Sequence, residues 1–475
     1  MPLRPLPCIF AALLSAAALA APVQMDPAAN ALARDVFKEL IEINTTESVG
    51  NVTTAAQAMA KRLRAGGFAD ADMQLLGPNE RKRNLVVRLR GSGAHKPVLM
   101  MGHLDVVEAH REDWSTDPFK FIEKDGFFYG RGTQDMKDGD AIMVTTLLRL
   151  KKEGFRPSRD LILALTADEE EGPSNGVAWL LQHHRELIDA EFVLDQDDFS
   201  VVAEHGKPVF YRLDASEKTY ADYLVTATNR GGHSSAPRPD NAIYELMNGL
   251  TRLARYEFPF ELNAVTRAYF EQRAKSEHGA AARDMREILE VPPDPAAIAR
   301  LARDADNNGV MHTTCVATRL AAGHANNALP QRAQATVNCR ILPGHSPEEV
   351  RKVLIRVLAD PQMTVQYIDD DGALYDSAAS KPGYPPTPLL GDVMRPLQSV
   401  VATFWPGLQV VPTMSPGASD ATLTGVAGMP SYNLSGIQLD QDDDREHGRD
   451  ERIGIESFYR GNEFFYRFIK VLAAQ

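Results

Sequence analysis

Histidine and carboxylate residues recur at the points where polar loops follow predicted strands along this 475-residue chain. The residues that could bind metal or move protons are His103, Asp105, Asp135, Glu169, Glu170, Asp195 and His447. Nitrogen and oxygen donors without thiolate suit Zn²⁺, with Co²⁺ or Mn²⁺ as alternatives. Carboxylates packed together raise one another's pKa values unless cations neutralise them. The set therefore predicts a metal site with enough carboxylates for two ions that share a bridge.

Two short motifs suggest a division of labour within this set. Adjacent side chains in the acidic run 168–171 point in different directions, so one glutamate can bind metal while its neighbour moves protons. Asp105 follows His103 by two residues and, in an extended chain, could orient that imidazole. Considered alone, the pair His103 and Asp105 could be a hydrogen-bonded turn, and the acidic run could be a solvated helix start. His447 could simply lie in a surface loop.

The elements expected to position these residues alternate between helix and strand. Helical periodicity covers residues 27–43, 53–65, 141–150 and 177–184, and short apolar strands are predicted at 84–89, 98–101, 161–165 and 192–194. Short, unbroken apolar strands indicate a sheet covered on both faces. In such α/β sheets ligands bind beyond the carboxyl ends of the strands, so residues distant in sequence can meet there.

The pattern changes in the middle of the chain. From residue 211, alternating strands surround long charged helical stretches, and a segment rich in proline at 376–388 indicates a hinge. The helical patterns predicted at 389–403 and 457–472 then resemble those of the first part of the chain. The predicted organisation is a signal peptide at 1–20, a first domain formed by 21–210 and 376–475, and an inserted domain at 211–375.

The first twenty residues differ from the rest of the chain. A positive start at Arg4 and an apolar stretch at 8–19 precede a small-residue site, which is typical of a cleaved secretory signal. We therefore expect a periplasmic or secreted protein without a membrane span in its mature chain, the alternative being an uncleaved anchor. The net charge of −13 argues against nucleic acid as a partner, because phosphate contacts need cationic side chains.

Two cysteines, Cys315 and Cys339, remain after the signal segment, and both lie in predicted strands. A cross-strand bridge in an oxidising compartment and two buried free thiols both remain open.

Five motifs together resemble the M20 family of metallopeptidases, which includes glutamate carboxypeptidases, aminoacylases, succinyl-diaminopimelate desuccinylases and carboxypeptidase S. They are GHLDVV at 102–107, GRGTQDMK at 130–137, DEEEG at 168–172, GGHSS at 231–235 and NCRILP at 338–343. The resemblance implies an α/β fold, in which a zinc-peptidase-like catalytic domain with a mixed sheet carries an inserted α+β lid. It also implies that the lid can form a homodimer interface.

The resemblance further implies two Zn²⁺ per subunit and assigns roles at the metal site. The implied ligands are His103, Asp135, Glu170, Asp195 and His447, with Asp135 bridging the ions. Asp195 would bind the first ion, although Asp197 and Asp198 are competing carboxylates. Glu169 corresponds to the general base and Asp105 to the residue that supports His103. A cis peptide bond between Asp135 and Met136 is also implied.

On the substrate side, the resemblance assigns residues from the lid and a late loop. His233 would stabilise the oxyanion, reaching in from the partner subunit in many family members. Asn327 and Arg340 would hold a substrate carboxylate, and Gly417 and Ser419 would form a substrate-binding loop. Hydrogen bonding within turns and strands is the alternative role for these residues.

We therefore expect a metal-dependent amidohydrolase that cleaves an amide bond next to a free carboxylate, in the manner of a carboxypeptidase or dipeptidase. The alternative is an aminoacylase acting on N-acyl amino acids, and a remote alternative is a non-catalytic, metal-stabilised peptide-binding protein. The long helical segment at 256–308 favours a carboxypeptidase S-like member.

Overall fold

The computed structural model describes residues 23–369, 372–379, 382–415, 417 and 419–474. The predicted signal peptide lies outside these residues. Among the helices described, none is long and apolar enough to cross a membrane.

Fourteen α-helices are present within the described residues. They are α1 (Pro27–Ile41), α2 (Val52–Ala65), α3 (Lys137–Glu153), α4 (Gly176–His183), α5 (Arg185–Ile188), α6 (Ala242–Leu253), α7 (Ala264–Ser276), α8 (Gly279–Glu287), α9 (Pro295–Leu301), α10 (Ala305–Met311), α11 (Pro347–Leu358), α12 (Gly391–Phe404), α13 (Asp420–Val426) and α14 (Ile455–Ala473).

Twenty strands are described in the same residues. They are β1 (Met73–Leu76), β2 (Asn84–Leu89), β3 (Val98–His103), β4 (Ile122–Lys124), β5 (Phe127–Tyr129), β6 (Leu161–Thr166), β7 (Phe192–Asp195), β8 (Val201–Glu204), β9 (Lys207–Glu217), β10 (Thr219–Thr228), β11 (Gly232–His233), β12 (Thr314–Ala322), β13 (Ala328–Leu329), β14 (Arg332–Ile341), β15 (Met363–Ile368), β16 (Leu374–Tyr375), β17 (Val410–Ser415), β18 (Ser431–Asn433), β19 (Gln438–Asp440) and β20 (Arg452–Gly454).

A ten-stranded mixed sheet forms the centre of the first domain. Its strands follow the order β1-β2-β6-β3-β7-β18-β9-β8-β19, and β17 pairs in parallel with β9. The central strand β3 is buried along its whole length and pairs in parallel with β6 and β7. Burial on both faces explains the unbroken apolar sequence of these strands. The predicted α/β class with a mixed sheet is confirmed.

The inserted domain has its own sheet, in the order β12-β14-β10-β15-β16, with all neighbours antiparallel. Residues of β14 are alternately buried and partly exposed, so one face of this sheet packs on helices α6 and α11. The chain passes from the large sheet to this sheet at Lys218, between β9 and β10. Strand β9 thus continues seven residues past the domain boundary predicted after residue 210.

Helices α7 to α10 form a separate layer between the two sheets. They enclose a small core of their own, which includes Phe270, Met285 and Leu301. Helix α7 also packs against β17 of the first domain, and its Val265 belongs to the main hydrophobic core. The long helical segment is therefore anchored on the first domain although it lies within the inserted one.

Cys315 and Cys339 form a disulfide bond. They lie directly opposite one another on the antiparallel strands β12 and β14. Of the two possibilities left open by the sequence, the structure has the cross-strand bridge.

Local sequence signals account for where several helices begin. Helix α11 starts with a capping box, in which the Ser346 side chain accepts from the backbone N–H of Glu349 and the Glu349 side chain accepts from that of Ser346. Pro347 occupies the first turn, where a missing N–H costs nothing. Asn175 caps α4 by accepting from the backbone N–H of Ala178.

Candidate metal centre

Three neighbouring parallel strands bring the predicted residues to one edge of the large sheet. Strand β3 ends at His103, β6 ends two residues before Asp168, and β7 ends at Asp195. A Cβ on Gly102 would lie 2.5 Å from Asp140 Oδ1, so only glycine fits the close packing of β3 on α3 just before His103. The carboxyl ends of the strands thus form the site, as expected for an open α/β sheet.

Asp135 lies at the centre of the site with one carboxylate oxygen towards each histidine. Its Oδ1 is 3.0 Å from His103 Nε2, and its Oδ2 is 2.9 Å from His447 Nε2. Glu170 Oε2 also lies 2.9 Å from His447 Nε2. Two groups of potential ligands therefore share Asp135, which is the arrangement of a bridging carboxylate. The peptide bond between Asp135 and Met136 is cis, as the resemblance implied.

The structure places Asp197, and not Asp195, in the group around His103. Asp197 Oδ1 lies 3.4 Å from His103 Nε2, whereas Asp195 belongs to neither group of potential ligands. Asp195 is the last residue of β7 and is 2% exposed; burial raises its pKa, and the charges of Asp420 and Glu217 add to that rise. The structure therefore favours Asp197 over Asp195 as the candidate ligand of the first ion, because the Asp197 carboxylate, and not that of Asp195, lies beside His103.

The carboxylates around the two histidines stabilise positive charge on both rings. Burial would lower the pKa of His103, but its contacts with Asp135 and Asp197 outweigh burial and hold the pKa well above its ordinary value. Contacts with Asp135 and Glu170 raise the pKa of His447 to about 10. Burial would raise the pKa of Asp135, yet the two histidines hold it well below its ordinary value. The site thus favours positive charge at two points, which two divalent cations would supply.

The donor atoms fit a pair of metal ions. His103 Nε2 and Asp135 Oδ1 are buried and lie 3.0 Å apart without hydrogen-bond geometry. Glu170 Oε1 is also buried and has no hydrogen-bond partner among the described residues. Buried polar atoms without partners are costly, so native proteins satisfy them with water, ions or ligands. Imidazole nitrogens and carboxylate oxygens suit Zn²⁺ and related divalent ions. Residues His103, Asp135 and Asp197 would hold one ion, and Asp135, Glu170 and His447 the other.

Asp105 supports the acidic run as well as the first histidine. The Asp105 carboxylate accepts hydrogen bonds from the backbone N–H groups of Glu169 at 3.2 Å and Glu170 at 3.0 Å. His103 Nδ1 lies 3.1 Å from the Asp105 carbonyl oxygen and 3.7 Å from its carboxylate. The imidazole is therefore oriented mainly by the backbone of Asp105, while the side chain fixes the two glutamates.

Glu169 is placed to accept a proton beside the metal centre. Burial raises the pKa of Glu169 well above its ordinary value; the charge of His103 opposes that rise and Asp420 adds to it. A carboxylate with a raised pKa is a better proton acceptor near neutral pH. Glu169 and Glu170 line a cleft of about 630 Å³. The position of Glu169 suits a general base and that of Glu170 a metal ligand.

The opposite wall of this cleft comes from the inserted domain. Arg340 lines it together with Tyr220, Asp222 and Tyr367, and the Arg340 guanidinium lies 4.7 Å from the centre of the Tyr220 ring. Gly417 lines the same cleft from the first domain. The predicted carboxylate-binding arginine and loop glycine therefore share a cleft with the predicted base.

His233 and Asn327 lie elsewhere on the surface of the inserted domain. Both are exposed, and the neighbouring Ser234 N–H donates to the Asn327 carbonyl at 3.0 Å. The Ser235 hydroxyl lies 2.7 Å from His233 Nδ1. The residues around the metal centre make none of these contacts, so within one chain the structure does not bring His233 and Asn327 to the site.

Ser419 has a structural role in the late loop. It caps α13, and its backbone N–H and hydroxyl donate to the buried Glu217 at 3.0 and 2.7 Å. Only the cap on the Ala421 N–H lies within the turn, whereas the two bonds to Glu217 join the loop to the end of β9.

Glu451 is a functional residue that sequence reasoning missed. Its buried carboxylate accepts from the backbone N–H groups of Gly132, Gln134 and Asp135, at 3.1, 2.6 and 3.3 Å. It also pairs with Arg131 at 2.5 Å. Glu451 thus positions the loop that carries the bridging carboxylate. Its only sequence signal was proximity to His447, in a loop where acidic residues are common.

Comparisons with known proteins place these features in a wider group. The profile of peptidase family M20/M25/M40 matches residues 99–471. The human N-fatty-acyl-amino acid synthase/hydrolase PM20D1 is 27% identical over 386 residues, which cover 79% of this chain and 74% of that protein. The probable carboxypeptidase S-like 2 of Dictyostelium discoideum is 28% identical over 388 residues, which cover 79% of this chain and 71% of that protein.

Among solved structures, an M20 family metallo-carboxypeptidase from Sulfolobus solfataricus superimposes with a TM-score of 0.67. The alignment covers 93% of this chain and 99% of that one, at 15% sequence identity. At this identity the match shows a shared fold.

Proposed function

The chain belongs to peptidase family M20/M25/M40, a family of hydrolases, and from this membership we propose that it is a di-zinc amidohydrolase cleaving an amide bond next to a free carboxylate. The observation that supports the proposal most directly is Asp135, whose two oxygens face His103 and His447 beside the cleft containing Glu169. Co²⁺ and Mn²⁺ are alternative ions, since the same donors accept them. Small peptides are the proposed substrates.

The residues of the chain divide the reaction among them. Two cations held by the two ligand groups would supply Lewis-acid chemistry, polarising the scissile carbonyl and acidifying water. Glu169 takes the proton from the attacking water and returns it to the leaving amine. Arg340 pairs with the substrate carboxylate and so fixes the scissile bond relative to Glu169. Closure of the cleft between the domains excludes bulk water.

Hydrolysis of N-acyl amino acids is the second candidate. The observation in its favour is the similarity to a protein named N-fatty-acyl-amino acid synthase/hydrolase. Small peptides and N-acyl amino acids both present a free carboxylate to Arg340, and they differ only in the acyl group on the other side of the scissile amide bond. A panel of dipeptides and N-acyl amino acids, assayed with the Zn²⁺-loaded protein, separates them. A protein that binds these compounds without turnover, before and after metal loading, would instead be the remote alternative, a peptide-binding protein.

Replacement of Glu169 tests the proposed base. We expect Glu169→Gln to bind both ions and to lose about 10²- to 10⁴-fold in kcat, because the neutral amide cannot accept the proton. Glu171→Gln is the matched control, since Glu171 is the exposed neighbour in the same acidic run. Metal content and kcat are measured on the same samples. Near-normal turnover by metal-loaded Glu169→Gln contradicts the assignment.

A homodimer through the inserted domain is also proposed, on the basis of its exposed apolar surface. Strand β12 is an edge of the five-stranded sheet, and its Val316 and Leu320 are each 60% exposed. Tyr244 and Met247 on α6 are exposed as well. Exposed apolar edge strands are ready sites of pairing. In such a dimer, His233 of one copy would complete the site of the other by stabilising the oxyanion.

Light scattering tests the dimer. We expect Leu320→Glu to give monomers and to lower kcat, because a charge on the edge opposes pairing. Val209→Glu, at an exposed valine of the first domain, serves as control. A wild-type chain that is monomeric and fully active would contradict the proposal.

We further propose a periplasmic or secreted location, which rests on residues 1–20 alone.

A further inference from the structure

Two polar side chains outside the metal centre connect the segment carrying Glu169 to the crossing between the domains. They are Asn175 at the start of α4 and Asp420 at the start of α13. We propose that Asn175 and Asp420 are positioning residues, which fix Glu169 relative to the strand that enters the inserted domain. The inference rests on the proposed hydrolase function and adds residues that neither touch substrate nor bind metal.

The first half of the connection holds the residue just before the base. Asn175 Nδ2 donates to the Asp168 carbonyl at 3.2 Å and to Asp420 Oδ1 at 2.7 Å. Asp168 has a φ of 55°, in the left-handed region that residues other than glycine rarely adopt. Such a conformation persists only where surrounding contacts fix it. The amide of Asn175 therefore joins the backbone beside Glu169 to α13.

The second half joins α13 to the domain crossing. Glu217 is the last residue of β9, and the chain enters the inserted domain at Lys218. The Glu217 carboxylate accepts from the backbone N–H and hydroxyl of Ser419 and, at 3.0 Å, from the hydroxyl of Thr422. These three bonds fasten the first turn of α13 to the crossing. Ser419 and Asp420 are adjacent, so the two halves meet there.

Burial makes this path stiff. Asp420 is 5% exposed and Glu217 is 6% exposed. Hydrogen bonds shielded from water are stronger than exposed ones, and bonds in series reinforce one another. A shift of the crossing would consequently move α13 and, through Asn175, the Asp168 carbonyl. This chain of hydrogen bonds therefore couples the position of the inserted domain to the position of Glu169.

A double-mutant cycle between Glu217 and Asn175 tests the proposal with the full-length, Zn²⁺-loaded protein. The variants are Glu217→Gln, Asn175→Ala and the two combined. Asn263→Ala is the matched control, because Asn263 also caps a helix by accepting from the residue three positions on, at 2.9 Å. Amide hydrogen exchange of residues 168–176 is measured by mass spectrometry, and kcat and KM on a substrate that the wild type hydrolyses.

We expect each single variant to speed exchange in residues 168–176 by about tenfold, the effect of losing one buried hydrogen bond. We expect kcat to fall by about tenfold with KM within about threefold, because misplacement of a base weakens the transition state more than substrate binding. The double variant should resemble the more severe single variant, since both break one path. Asn263→Ala should leave exchange in 168–176 unchanged.

Unchanged exchange in 168–176, fully additive effects, or a change in KM alone would overturn the proposal. If Asn175→Ala fails to fold, Thr422→Val tests the same path more mildly by removing one of the three donors to Glu217, and it should act in the same direction. A wild type that hydrolyses nothing on the substrate panel refutes the proposed function. The exchange data still decide whether the path exists.

Discussion

His103 Nε2 faces carboxylates from two separate segments of the chain, Asp135 and Asp197. Asp195, two residues earlier, belongs to neither group of potential ligands. The two aspartates therefore have different surroundings although they are close in sequence. Burial raises the pKa of both carboxyls, so the position of Asp197 beside His103, and not its pKa, suits it to metal binding.

Metal content of aspartate variants tests this difference. We expect Asp197→Asn to bind one ion per chain in place of two after dialysis against limiting Zn²⁺, because an amide is a poorer ligand than a carboxylate. Asp195→Asn should retain both ions, since Asp195 belongs to neither group of potential ligands. Elemental analysis gives the stoichiometry. Loss of an ion from Asp195→Asn alone would reverse the assignment.

The sequence identified the types of residue at the site better than their exact positions. His103, Asp135, Glu170 and His447 were all predicted, and all four lie in the two groups of potential ligands. The first three belong to distinctive motifs, whereas His447 lies outside the five motifs and was assigned through the resemblance alone. Asp197 was considered only as a competitor of Asp195, since the sequence does not fix where strand β7 ends, and a difference of two residues decides which aspartate lies beside His103. His233 and Asn327 are exposed on the inserted domain, and the structure does not bring them to the site within one chain.

At the scale of elements, the loop between β5 and α3 depends on Glu451, which lies just before β20. This carboxylate satisfies three backbone N–H groups of the loop and pairs with Arg131. Backbone donors that are buried need such partners. The position of the bridging Asp135 is therefore set by a residue more than three hundred positions away in sequence.

Replacement of Glu451 should weaken metal binding without removing a ligand. We expect Glu451→Gln to lower Zn²⁺ affinity by about 10- to 100-fold, the usual effect of losing a residue that orients a ligand. Glu456→Gln, on the exposed side of α14, is the control. Competition with a chromogenic chelator measures the affinity. Equal affinities for the two variants would show that the loop holds its shape without Glu451.

Elements with strong local patterns were predicted closely, and those defined by long-range pairing were not. The predicted strand at 84–89 coincides with β2, and capping residues mark the starts of several helices. The hairpin of β8 and β9 was not predicted, because its polar outer residues lack a clear alternation. Pairing with β17 and β18, which follow about two hundred residues later, stabilises β9.

At the scale of the whole molecule, Lys218 lies buried at the crossing between the two domains. Its ammonium group donates to the His312 carbonyl at 2.7 Å and to the Thr314 hydroxyl at 3.4 Å. Burial, with a smaller contribution from Arg340, lowers the pKa of Lys218 to about 7. The ordinary value of 10.5 applies to the unfolded chain. Between these values the unfolded state binds a proton that the folded state lacks.

The stability of the protein should therefore depend on pH through Lys218. Raising the pH from 7 to 10 should increase the free energy of unfolding of the wild type relative to Lys218→Met, by at most about 1.4 kcal/mol per pH unit. Below pH 7 both states are protonated and the difference should be constant. Urea unfolding at several pH values measures it, with Lys207→Met, at an exposed lysine of β9, as control. Parallel curves for wild type and Lys218→Met would contradict the expectation.

The disulfide between Cys315 and Cys339 lies where the helical layer returns to the sheet of the inserted domain. Helix α10 ends at Met311, four residues before Cys315, and α7 of the same layer is anchored on the first domain. The bridge thus ties an anchored layer covalently to β14, the strand that carries Arg340. Chains produced under reducing conditions would lack this bond, and the strand that carries Arg340 would be held less firmly in them than in chains with the disulfide.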